Sequence, residues 1–402
     1  MNKGAVGKAG WQRRRVADIA QHSLGKMLDK AKNKGEPRPY LRNLNVRWFE
    51  FDLSDVLEMR FLPEEASKYT AVKGDLLICE GGYPGRAAIW DQDNPIYFQK
   101  ALHRVRFYQP EHTQWFQYYL YALDLAGTLK KHFNSAGIQH FTGEALAEFE
   151  VPLAPLPDIR RMTSILDEAF DGIATAKANA EKNLQNARAL FESHLQAVFT
   201  QRGEGWVEKP LGEICRFSSG GTPSKTESRY WNGSIPWISG RDMKSTRLSD
   251  AVLHISQEAL DESSTRMAPA GALLTLVRGM GLAHGAQIAE LMVPCAFNQD
   301  IRAIHPERNL APRFLLFALR TGINHSGNVL SNAAHGTLKI DMYELSSVAI
   351  PVPSRVEQER VVRQIDALDA ETQRLASLCE RKLTALDALK KSLLDQAFTG
   401  VL

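Results

Sequence analysis

The chain has 402 residues, of which 44% are hydrophobic and 24% charged, and its formal net charge is only +3. These fractions are typical of a soluble globular protein, and the length predicts two or three domains. No run of about 18 apolar residues occurs, which argues against a membrane-spanning helix, and no apolar stretch follows the basic N-terminus as it would in a secretory signal. The four cysteines stand far apart, without metal or thiol-redox spacing, so we expect a cytoplasmic protein.

Positive charge is concentrated at the start of the chain. Residues 1–62 contain 13 Lys and Arg against 7 Asp and Glu, a local excess of six (13 − 7). Such a surface is either a solvated basic loop or one that neutralises phosphates and releases counterions. The candidates for phosphate contacts are six basic side chains: Lys26, Lys30, Lys32, Lys34, Arg38 and Arg42.

Four segments follow one another along the chain. Residues 1–155 and 204–353 alternate short apolar runs with Gly, Pro and Asn, which predicts short strands, turns and a few helices. One helix is expected over residues 113–125, where an aromatic stripe is typical of a core. Residues 156–203 and 354–402 have the composition of long helices.

The sequence contains an internal duplication. Residues 160–200 recur as residues 359–399, displaced by 199 positions (359 − 160), and Trp11 is matched by Trp206. This period is far longer than the roughly 20–50 residues of a solenoid unit. It indicates two copies of a domain, each followed by a helix.

Both long helices carry apolar residues at alternating spacings of three and four, the pattern of a coiled-coil seam. Either each helix packs on its own globular domain or the two pair with each other, and their equal lengths favour an antiparallel pair. The sequence therefore predicts an α+β protein, with two mixed globular domains separated by two antiparallel helices and related by a pseudo-two-fold repeat. The seam positions are Met162, Leu166, Ile173, Leu184, Leu190, Val361, Ile365, Leu368, Leu375, Leu386, Leu389 and Leu393.

Motifs for catalysis are largely absent from the sequence. The stretch Asp93-Asn94-Pro95-Ile96-Tyr97-Phe98 superficially resembles a loop of amino-methyltransferases, but it lacks the second proline. No Gly-rich turn after a strand, no phosphate-binding loop ending in Gly-Lys-Ser/Thr and no His-x-x-x-His spacing occurs. The chain is therefore predicted to be a binding protein, with no catalytic, cofactor-binding or metal-ligating residues of its own.

Several motifs lie within the globular segments and at the start of the last helix. They are Gly25-Lys26-Met27-Leu28, Tyr40-Leu41-Arg42-Asn43, Cys79-Glu80-Gly81-Gly82, Ser219-Gly220-Gly221-Thr222, Ile235-Pro236-Trp237-Ile238 and Glu357-Gln358-Glu359-Arg360. These motifs resemble the target-recognition domains and helix junction of the specificity (S) subunit of type I restriction–modification systems. The resemblance covers essentially the whole chain, although residues 155–159 lack the Glu-Gln pair of the second junction.

The resemblance implies that residues 1–155 and 204–353 are target-recognition domains and that residues 156–203 and 354–402 are spacer helices. Such a subunit binds double-stranded DNA at an asymmetric, bipartite target. It docks two adenine-N6 methyltransferase (M) subunits, and two restriction/motor (R) subunits complete the complex. S-adenosylmethionine, ATP and Mg²⁺ then belong to the partner subunits, and this chain is non-catalytic.

Further candidates for DNA contact lie in predicted loops. Glutamine pairs well with adenine N6/N7, but Gln99 and Gln299 stand at matching places of the two copies, which favours a structural role for both. Side chains that contact the bases of different half-sites are expected to differ in residue type between the two copies. The other candidates, each equally open to being solvated surface, are Gln139, His140, Thr222, Ser224, Lys225, Arg229, Arg278, His335 and Lys339.

Alternative functions remain open on the sequence alone. One is the recognition subunit of a type II-like system with fused methylase–nuclease partners. Another is a stand-alone DNA-binding regulator or structural coiled-coil protein. A self-contained nuclease or methyltransferase is disfavoured by the missing cofactor and metal motifs.

Overall fold

A computed structural model describes residues 10–29, 31–133, 139–279, 282, 285–325, 329–332 and 338–402. The chain divides into two compact units. Unit 1 contains the residues up to Glu181 together with Glu380–Leu402, and unit 2 is Lys182–Cys379. Each unit therefore contains the beginning of one long helix and the end of the other.

The first globular segment is built from short strands and helices, as its composition predicts. Its elements are β1 (Gln12–Arg15), α1 (Val16–Ile19), β2 (Ala20–Leu24), β3 (Glu36–Leu41), β4 (Leu57–Phe61), α2 (Ala66–Tyr69), β5 (Thr70–Ala71), β6 (Leu76–Cys79), β7 (Ala87–Ile89), β8 (Ile96–Phe98), β9 (Leu102–Phe107), α3 (Glu111–Leu125), α4 (Gly143–Ala147) and β10 (Glu150–Leu153). Helix α3 confirms the helix predicted from the aromatic stripe, and Trp115, Phe116 and Tyr118 are buried there. The long helix α5 (Leu156–Thr200) follows.

The second globular segment repeats this order with three additional strands, β14 (Arg247–Leu248), β21 (Leu330–Asn332) and β22 (Leu338–Ile340). Its elements are β11 (Val207–Pro210), α6 (Leu211–Ile214), β12 (Cys215–Ser219), β13 (Ile235–Ile238), β14 (Arg247–Leu248), β15 (Leu253–Ile255), α7 (Gln257–Glu262), β16 (Arg266–Ala268), β17 (Leu273–Leu276), β18 (Ile288–Leu291), β19 (Cys295–Phe297), β20 (Ile301–Pro306), α8 (Pro312–His325), β21 (Leu330–Asn332), β22 (Leu338–Ile340), α9 (Met342–Ser347) and β23 (Ala349–Val352). The second long helix is α10 (Arg355–Thr399), which begins 199 residues after α5 (355 − 156).

The two main sheets of each unit share their strand order, except that β14 adds a fifth strand in unit 2. In unit 1 the strand orders are β2-β9-β6-β7 and β4-β3-β8-β5, and in unit 2 they are β12-β20-β17-β18-β14 and β15-β13-β19-β16. In both second sheets the pair in the middle, β3 with β8 and β13 with β19, is parallel whereas its neighbours are antiparallel. Ribbons β1–β10 and β11–β23 close the two segments in the same way. The duplication read from the helices thus extends to the two main sheets and the closing ribbon, whereas β14, β21 and β22 are described in unit 2 alone.

Two glycines make this topology possible. At Gly25 an added Cβ would lie 2.3 Å from the carbonyl oxygen of Gln99, and at Gly220 it would lie 2.2 Å from that of Phe297. Such distances require the backbones to approach closely where the chain leaves β2 or β12, so only glycine fits. The Gly-rich motifs of both halves therefore mark the point at which the chain passes from one sheet to the other.

The long helices pair in an antiparallel sense within unit 1. The Arg161 guanidinium donates to the carbonyl oxygen of Leu402 over 2.9 Å, and Lys177 pairs with Asp387 at 2.8 Å. As residue numbers rise along α5, those of its partners fall along α10. The predicted antiparallel pairing is confirmed.

The seam itself differs from the predicted set. Leu190, Leu375 and Leu389 are exposed, at 57%, 43% and 46%, so they were wrongly placed on it. The burial of Ile173, Ala180 and Ala187 follows a strict seven-residue spacing, which then changes to four residues at Phe191, Leu195 and Phe199. An α-helix has 3.6 residues per turn, so a fixed alternation of three and four drifts off the buried face. Phe191, one position beyond Leu190, is the residue that packs inward.

The remaining seam positions are buried to different degrees. Met162 and Leu166 belong to the hydrophobic core of unit 1, and Val361 and Ile365 to that of unit 2. Each helix therefore also packs on its own globular domain, the alternative set against pairing. Ile173 is buried, whereas Leu184, Leu368, Leu386 and Leu393 are half-buried.

The second helix junction is fixed by a buried amide. Gln358 accepts a hydrogen bond from the Ala311 amide at 2.7 Å and donates to the carbonyl oxygens of Asn309 and Pro353 at 3.1 and 3.0 Å. The equivalent position of the first junction is Ile159, which is fully buried. The glutamine of the second junction therefore holds the start of α10, and an apolar side chain replaces it in α5.

Candidate nucleic-acid interface

Two of the six basic side chains proposed for phosphate contacts are structural. Lys26 is buried, pairs with Glu65 at 2.5 Å and donates to the Arg60 carbonyl oxygen at 3.0 Å, with the Phe61 ring beneath its ammonium. Arg42 binds both the carboxylate and the carbonyl oxygen of Asp55, at 2.6 and 2.7 Å. Both side chains are held by acidic partners, and their contact with DNA stays a prediction. Burying a cation is tolerated only when it is paired in this way.

Three of the other basic residues in this segment face solvent. Lys32, Lys34 and Arg38 are exposed, and Lys32 lies 3.5 Å from Asp29. Lys30 lies outside the described residues. Lys32, Lys34 and Arg38 thus form an exposed basic surface on strand β3 and the loop before it.

The register of the sheets changes the comparison between Gln99 and Gln299. The Gln99 amide donates to the carbonyl oxygen of Leu41 at 3.1 Å, and the Asn298 amide donates to that of Ile238 at 3.0 Å. Leu41 and Ile238 are the last residues of equivalent strands β3 and β13. Gln99 therefore corresponds to Asn298, and Gln299 corresponds to Lys100. The argument that matching glutamines are structural does not hold, because the two glutamines do not match.

The side chains at this position differ in their surroundings. Gln299 is exposed and its Oε1 accepts a hydrogen bond from Thr222 Oγ1 at 2.5 Å. Lys100 is exposed in unit 1, and its amide donates to the carbonyl oxygen of Lys26 at 2.9 Å. Gln99 is half-buried. The equivalent exposed position thus offers an amide in one unit and an ammonium in the other, which are different groups for a base edge or phosphate.

Gln139 and His140 lie at the start of the described range 139–279, in unit 1. Gln139 is exposed and borders a cavity of about 280 Å³ together with Tyr83 and Lys130. His140 packs under Gly81, where an added Cβ would come within 3.1 Å of the imidazole ring. Gln139 is therefore accessible, whereas His140 supports the Gly81-Gly82 turn.

Arg229 of unit 2 is engaged by acidic side chains. It lies 2.7 Å from Glu262, 3.4 Å from Glu258 and 3.5 Å from Glu227, and Tyr230 donates to the same Glu262. Hydrogen bonds to Glu262 raise the pKa of Arg229 further. These carboxylates partly neutralise the Arg229 guanidinium, and its contact with DNA stays a prediction.

The nearby Ser224 and Lys225 are exposed, and Ser224 shares a 2.7 Å hydrogen bond with Thr226. Trp231 donates to the carbonyl oxygen of Ser224 at 2.9 Å, which fixes the turn. This loop presents short hydroxyl groups and one ammonium on a rigid frame. Its chemistry suits contact with a polyanion.

A cavity of about 650 Å³ opens on unit 2 beside β17 and β18. Arg278 lies at its rim and forms an antiparallel bridge with Lys339, which is exposed. His335 lies outside the described residues. The lining includes Lys244, Ser245, Thr246, Arg278, Gln287, Asn298, Asp300 and Arg320.

The sequence-based set missed Lys244 and Lys100. Lys244 follows β13 in the stretch Arg241-Asp242-Met243-Lys244, so a basic pair just after a predicted strand was the available signal. Lys100 directly follows Gln99, and only the sheet register shows that it occupies the position equivalent to Gln299. Both are exposed cations at loop positions where side chains of this type contact phosphates.

The described residues offer little that resembles a catalytic centre. Burial raises the pKa of Cys79 and Cys295 to about 11 and that of Cys215 to about 12, so these thiols are poor nucleophiles. In the described ranges, no three His, Cys, Asp or Glu side chains are grouped as metal ligands. Nor does any described helix have the length and apolarity to cross a membrane.

The two units are thus two copies of one α+β fold. At equivalent positions of these copies, different polar side chains are exposed. A family model, described as the type I restriction modification DNA specificity domain, matches residues 8–185 and again residues 203–380. The chain therefore belongs to the specificity (S) subunit family of type I restriction–modification systems, also called HsdS.

Individual relatives agree with this assignment. The specificity subunit of the Escherichia coli type I restriction enzyme EcoR124I/EcoR124II is 33% identical over 214 residues, which are 52% of either chain. The chain spans about half the length of the curated relatives it matches. A chain solved in work on complex assembly and conformational transition of the type I R-M system superposes with a TM-score of 0.77 at 18% identity, covering 98% of this chain and 99% of that one. The HsdS subunit from Thermoanaerobacter tengcongensis gives 0.62 at 18% identity over the full length of both. At such identity these structures show the fold alone.

Proposed function

We propose that this chain is the non-catalytic subunit that gives a type I restriction–modification complex its DNA specificity. Each unit reads one half of an asymmetric, bipartite target in double-stranded DNA. The main support for this proposal is that the two units share a backbone fold but expose different polar side chains at equivalent positions. The order and register of the shared strands repeat between the units, whereas Lys100 and Gln299 occupy one equivalent exposed position with different chemistry.

In unit 1 the phosphate contacts fall to the exposed cations of β3 and its preceding loop, Lys32, Lys34 and Arg38. In unit 2 they fall to Lys225, Lys244, Arg278 and Lys339. Each cation that neutralises a phosphate contributes about one counterion to the salt dependence of binding. Gln99, Gln139, Thr222, Ser224 and Gln299 are the uncharged groups offered to base edges.

Docking of two methyltransferase subunits is supported by an exposed leucine that recurs in both copies. Leu190 on α5 in unit 2 and Leu389 on α10 in unit 1 are equivalent residues, 199 positions apart (389 − 190), and both are exposed. A lone exposed leucine is ordinary, but the same exposed leucine in both copies fits two equivalent partner sites. Leu375 and Leu378 are further exposed leucines of α10 but lie in unit 2, and Ala176 and Asn179 stand at the equivalent places of α5.

Chemistry and its cofactors are assigned to the partners. S-adenosylmethionine belongs to the methyltransferase subunits, which methylate adenine N6 after extruding the base from the duplex. ATP and Mg²⁺ belong to two restriction/motor subunits, and the complex works in the cytoplasm. This division is supported by the lack of nucleotide-binding motifs in the sequence.

Native mass spectrometry of the chain co-expressed with its methyltransferase tests the docking. We expect two methyltransferase copies on the wild type, one on Leu190→Glu or Leu389→Glu, and none on the double variant. Val252→Glu is the matched control, since Val252 is 73% exposed but lies off the helices, and it should retain two copies. Two copies on the double variant would contradict docking at these leucines. A single large partner chain would favour the fused methylase–nuclease alternative, and DNA binding without any partner would favour the stand-alone regulator.

A further inference from the structure

The end of α10 inserts a lysine into an aromatic cage in unit 1. The Lys390 ammonium lies 4.3 Å from the ring centroid of Phe170, 4.9 Å from that of Tyr121 and 5.7 Å from that of Phe49. Phe49 holds its ring there from a left-handed backbone conformation, with φ of 70°, which is rare for an aromatic residue. Burial of the ammonium, followed by the charge of Lys177, lowers the pKa of Lys390. The cage therefore binds a desolvated cation by cation–π attraction.

The end of α5 makes the reverse contact in unit 2. There the helix supplies the aromatic ring of Phe191, and the globular domain supplies the cation, with the Arg320 guanidinium carbon 5.7 Å from the ring centroid. Arg320 is also paired with Glu192 of the same helix end. Phe191 is 7% exposed, so its ring is enclosed by this contact.

These two contacts occupy equivalent places. Lys390 and Phe191 are 199 positions apart (390 − 191), and so are Arg320 and Tyr121 (320 − 121). The register is fixed by neighbours in the same helices. Trp115 packs on Phe398 in unit 1, and Phe314 packs on Phe199 in unit 2, at the same displacement. Cation and ring have therefore exchanged sides between the copies.

We propose that this reciprocal pair makes the two helix ends non-interchangeable, so that unit 1 selects an end carrying a cation and unit 2 selects an end carrying an aromatic ring. A lysine-bearing end placed in unit 2 would set two cations against each other, Lys390 against Arg320. An aromatic end in unit 1 would leave the cage without its cation. The surface around Arg320 thus rejects a second copy of the chain's own C-terminal helix end. This inference does not depend on DNA binding or on methyltransferase docking.

Hydrogen exchange of the full-length chain, followed over residues 182–200 and 380–399, tests the selection. Phe191→Lys gives the α5 end the cation of the α10 end, and exchange at residues 182–200 should accelerate by about 5-fold or more. Adding Arg320→Tyr removes the repelling cation and supplies the tyrosine contact of unit 1, beside Asp369 at the place of Phe170 (369 − 170 = 199), and should restore most of the protection. Ala189→Lys is the matched control, because Ala189 is exposed on the same turn, and it should leave exchange unchanged.

A second set of variants tests the cage without introducing repulsion. Lys390→Met keeps length and apolar contact but removes the charge, and it should accelerate exchange at residues 380–399. Lys390→Arg keeps the cation and should retain protection, and Lys391→Met is the exposed control. The proposal would be contradicted if Arg320→Tyr failed to restore the hydrogen-exchange protection lost in Phe191→Lys. It would also be contradicted if Lys390→Met exchanged at the wild-type rate, because the helix ends would then be interchangeable.

Discussion

Trp115 and Phe398 are 283 positions apart in the sequence (398 − 115), yet their ring centroids lie 4.4 Å apart in the core of unit 1. Phe398 belongs to the last turns of α10, so the end of the chain completes the first domain. Phe199 at the end of α5 plays the same part in unit 2, 5.4 Å from Phe314. Each globular domain is therefore completed by the helix that begins in the other unit.

This relationship predicts a large effect of shortening Phe398. Phe398→Ala removes a fully buried ring, and such changes cost about 3–5 kcal/mol of unfolding free energy. Chemical denaturation with tryptophan fluorescence measures the effect, which should fall in the transition that exposes Trp115. Val401→Ala is the control, since Val401 is 74% exposed. A destabilisation below about 1 kcal/mol would mean that the end of α10 does not complete unit 1.

The buried Gln358 predicts a different kind of destabilisation. Gln358→Leu keeps the volume but leaves the Ala311 amide and two carbonyl oxygens without their partner, at a cost of about 1–3 kcal/mol. Thermal unfolding of Gln358→Leu and of the exposed control Gln373→Leu makes the comparison. Equal stability of the two variants would show that this amide does not hold the junction.

Replacing Lys26 is expected to lower the stability of the protein, whereas replacing Lys34 is expected to weaken its DNA binding. Lys26→Ala strands the Glu65 carboxylate and should destabilise unit 1, whereas Lys34→Ala combined with Arg38→Ala should leave stability intact. The double variant should weaken DNA binding uniformly across sequences. It should also reduce the slope of log K against log salt by about one for each phosphate that is no longer neutralised.

DNA titrations of the methyltransferase complex at several salt concentrations measure this slope. Lys209→Ala, an exposed change elsewhere, is the control and should leave the slope as it is in the wild type. An unchanged slope in the double variant would remove Lys34 and Arg38 from the interface.

His103 makes the stability of unit 1 depend on pH. Burial lowers the pKa of this fully buried imidazole from 6.5 to about 4, against the opposing effect of its 2.8 Å hydrogen bond with the Phe141 carbonyl oxygen. The folded state therefore binds the proton less readily than the unfolded state. The stabilisation is complete above pH 6.5 and is lost as pH falls towards 4, by about 3 kcal/mol.

Unfolding of the wild type and of His103→Gln between pH 7 and pH 4 isolates this contribution. The variant should lose less stability than the wild type over the same range. His22 and His112 are also partly buried with lowered pKa values, so the difference between the two proteins is the quantity to compare. Parallel pH dependence in both would show that His103 does not carry the effect.

The sequence predicted the architecture well because its signals are local and repeated. Helical composition over 45 residues and a displacement of 199 positions (355 − 156) can both be read without knowledge of any long-range contact. The α+β class, the duplication and the antiparallel pairing are confirmed for that reason.

Individual side chains were harder to place because their surroundings are set by distant partners. The sequence around Lys26 does not indicate its ion pair with Glu65, which lies 39 positions later (65 − 26). Likewise, the sequence around Arg229 does not indicate its ion pairs with Glu258 and Glu262. Gln99 matched Gln299 by residue type, but the strand register aligns it with Asn298. Leu190 followed the heptad, yet a change of spacing buries Phe191 instead.

We propose that one repeated fold carries two different DNA-reading surfaces. Methylome sequencing of a host that expresses this chain with its methyltransferase tests it most directly, alongside a chimera in which residues 1–155 come from another recognition domain. We expect the wild type to produce methylation at two unlike half-sites separated by an unspecified spacer. The chimera should change one half-site and leave the other intact. A single contiguous or palindromic target, or a change of both half-sites in the chimera, would contradict the account.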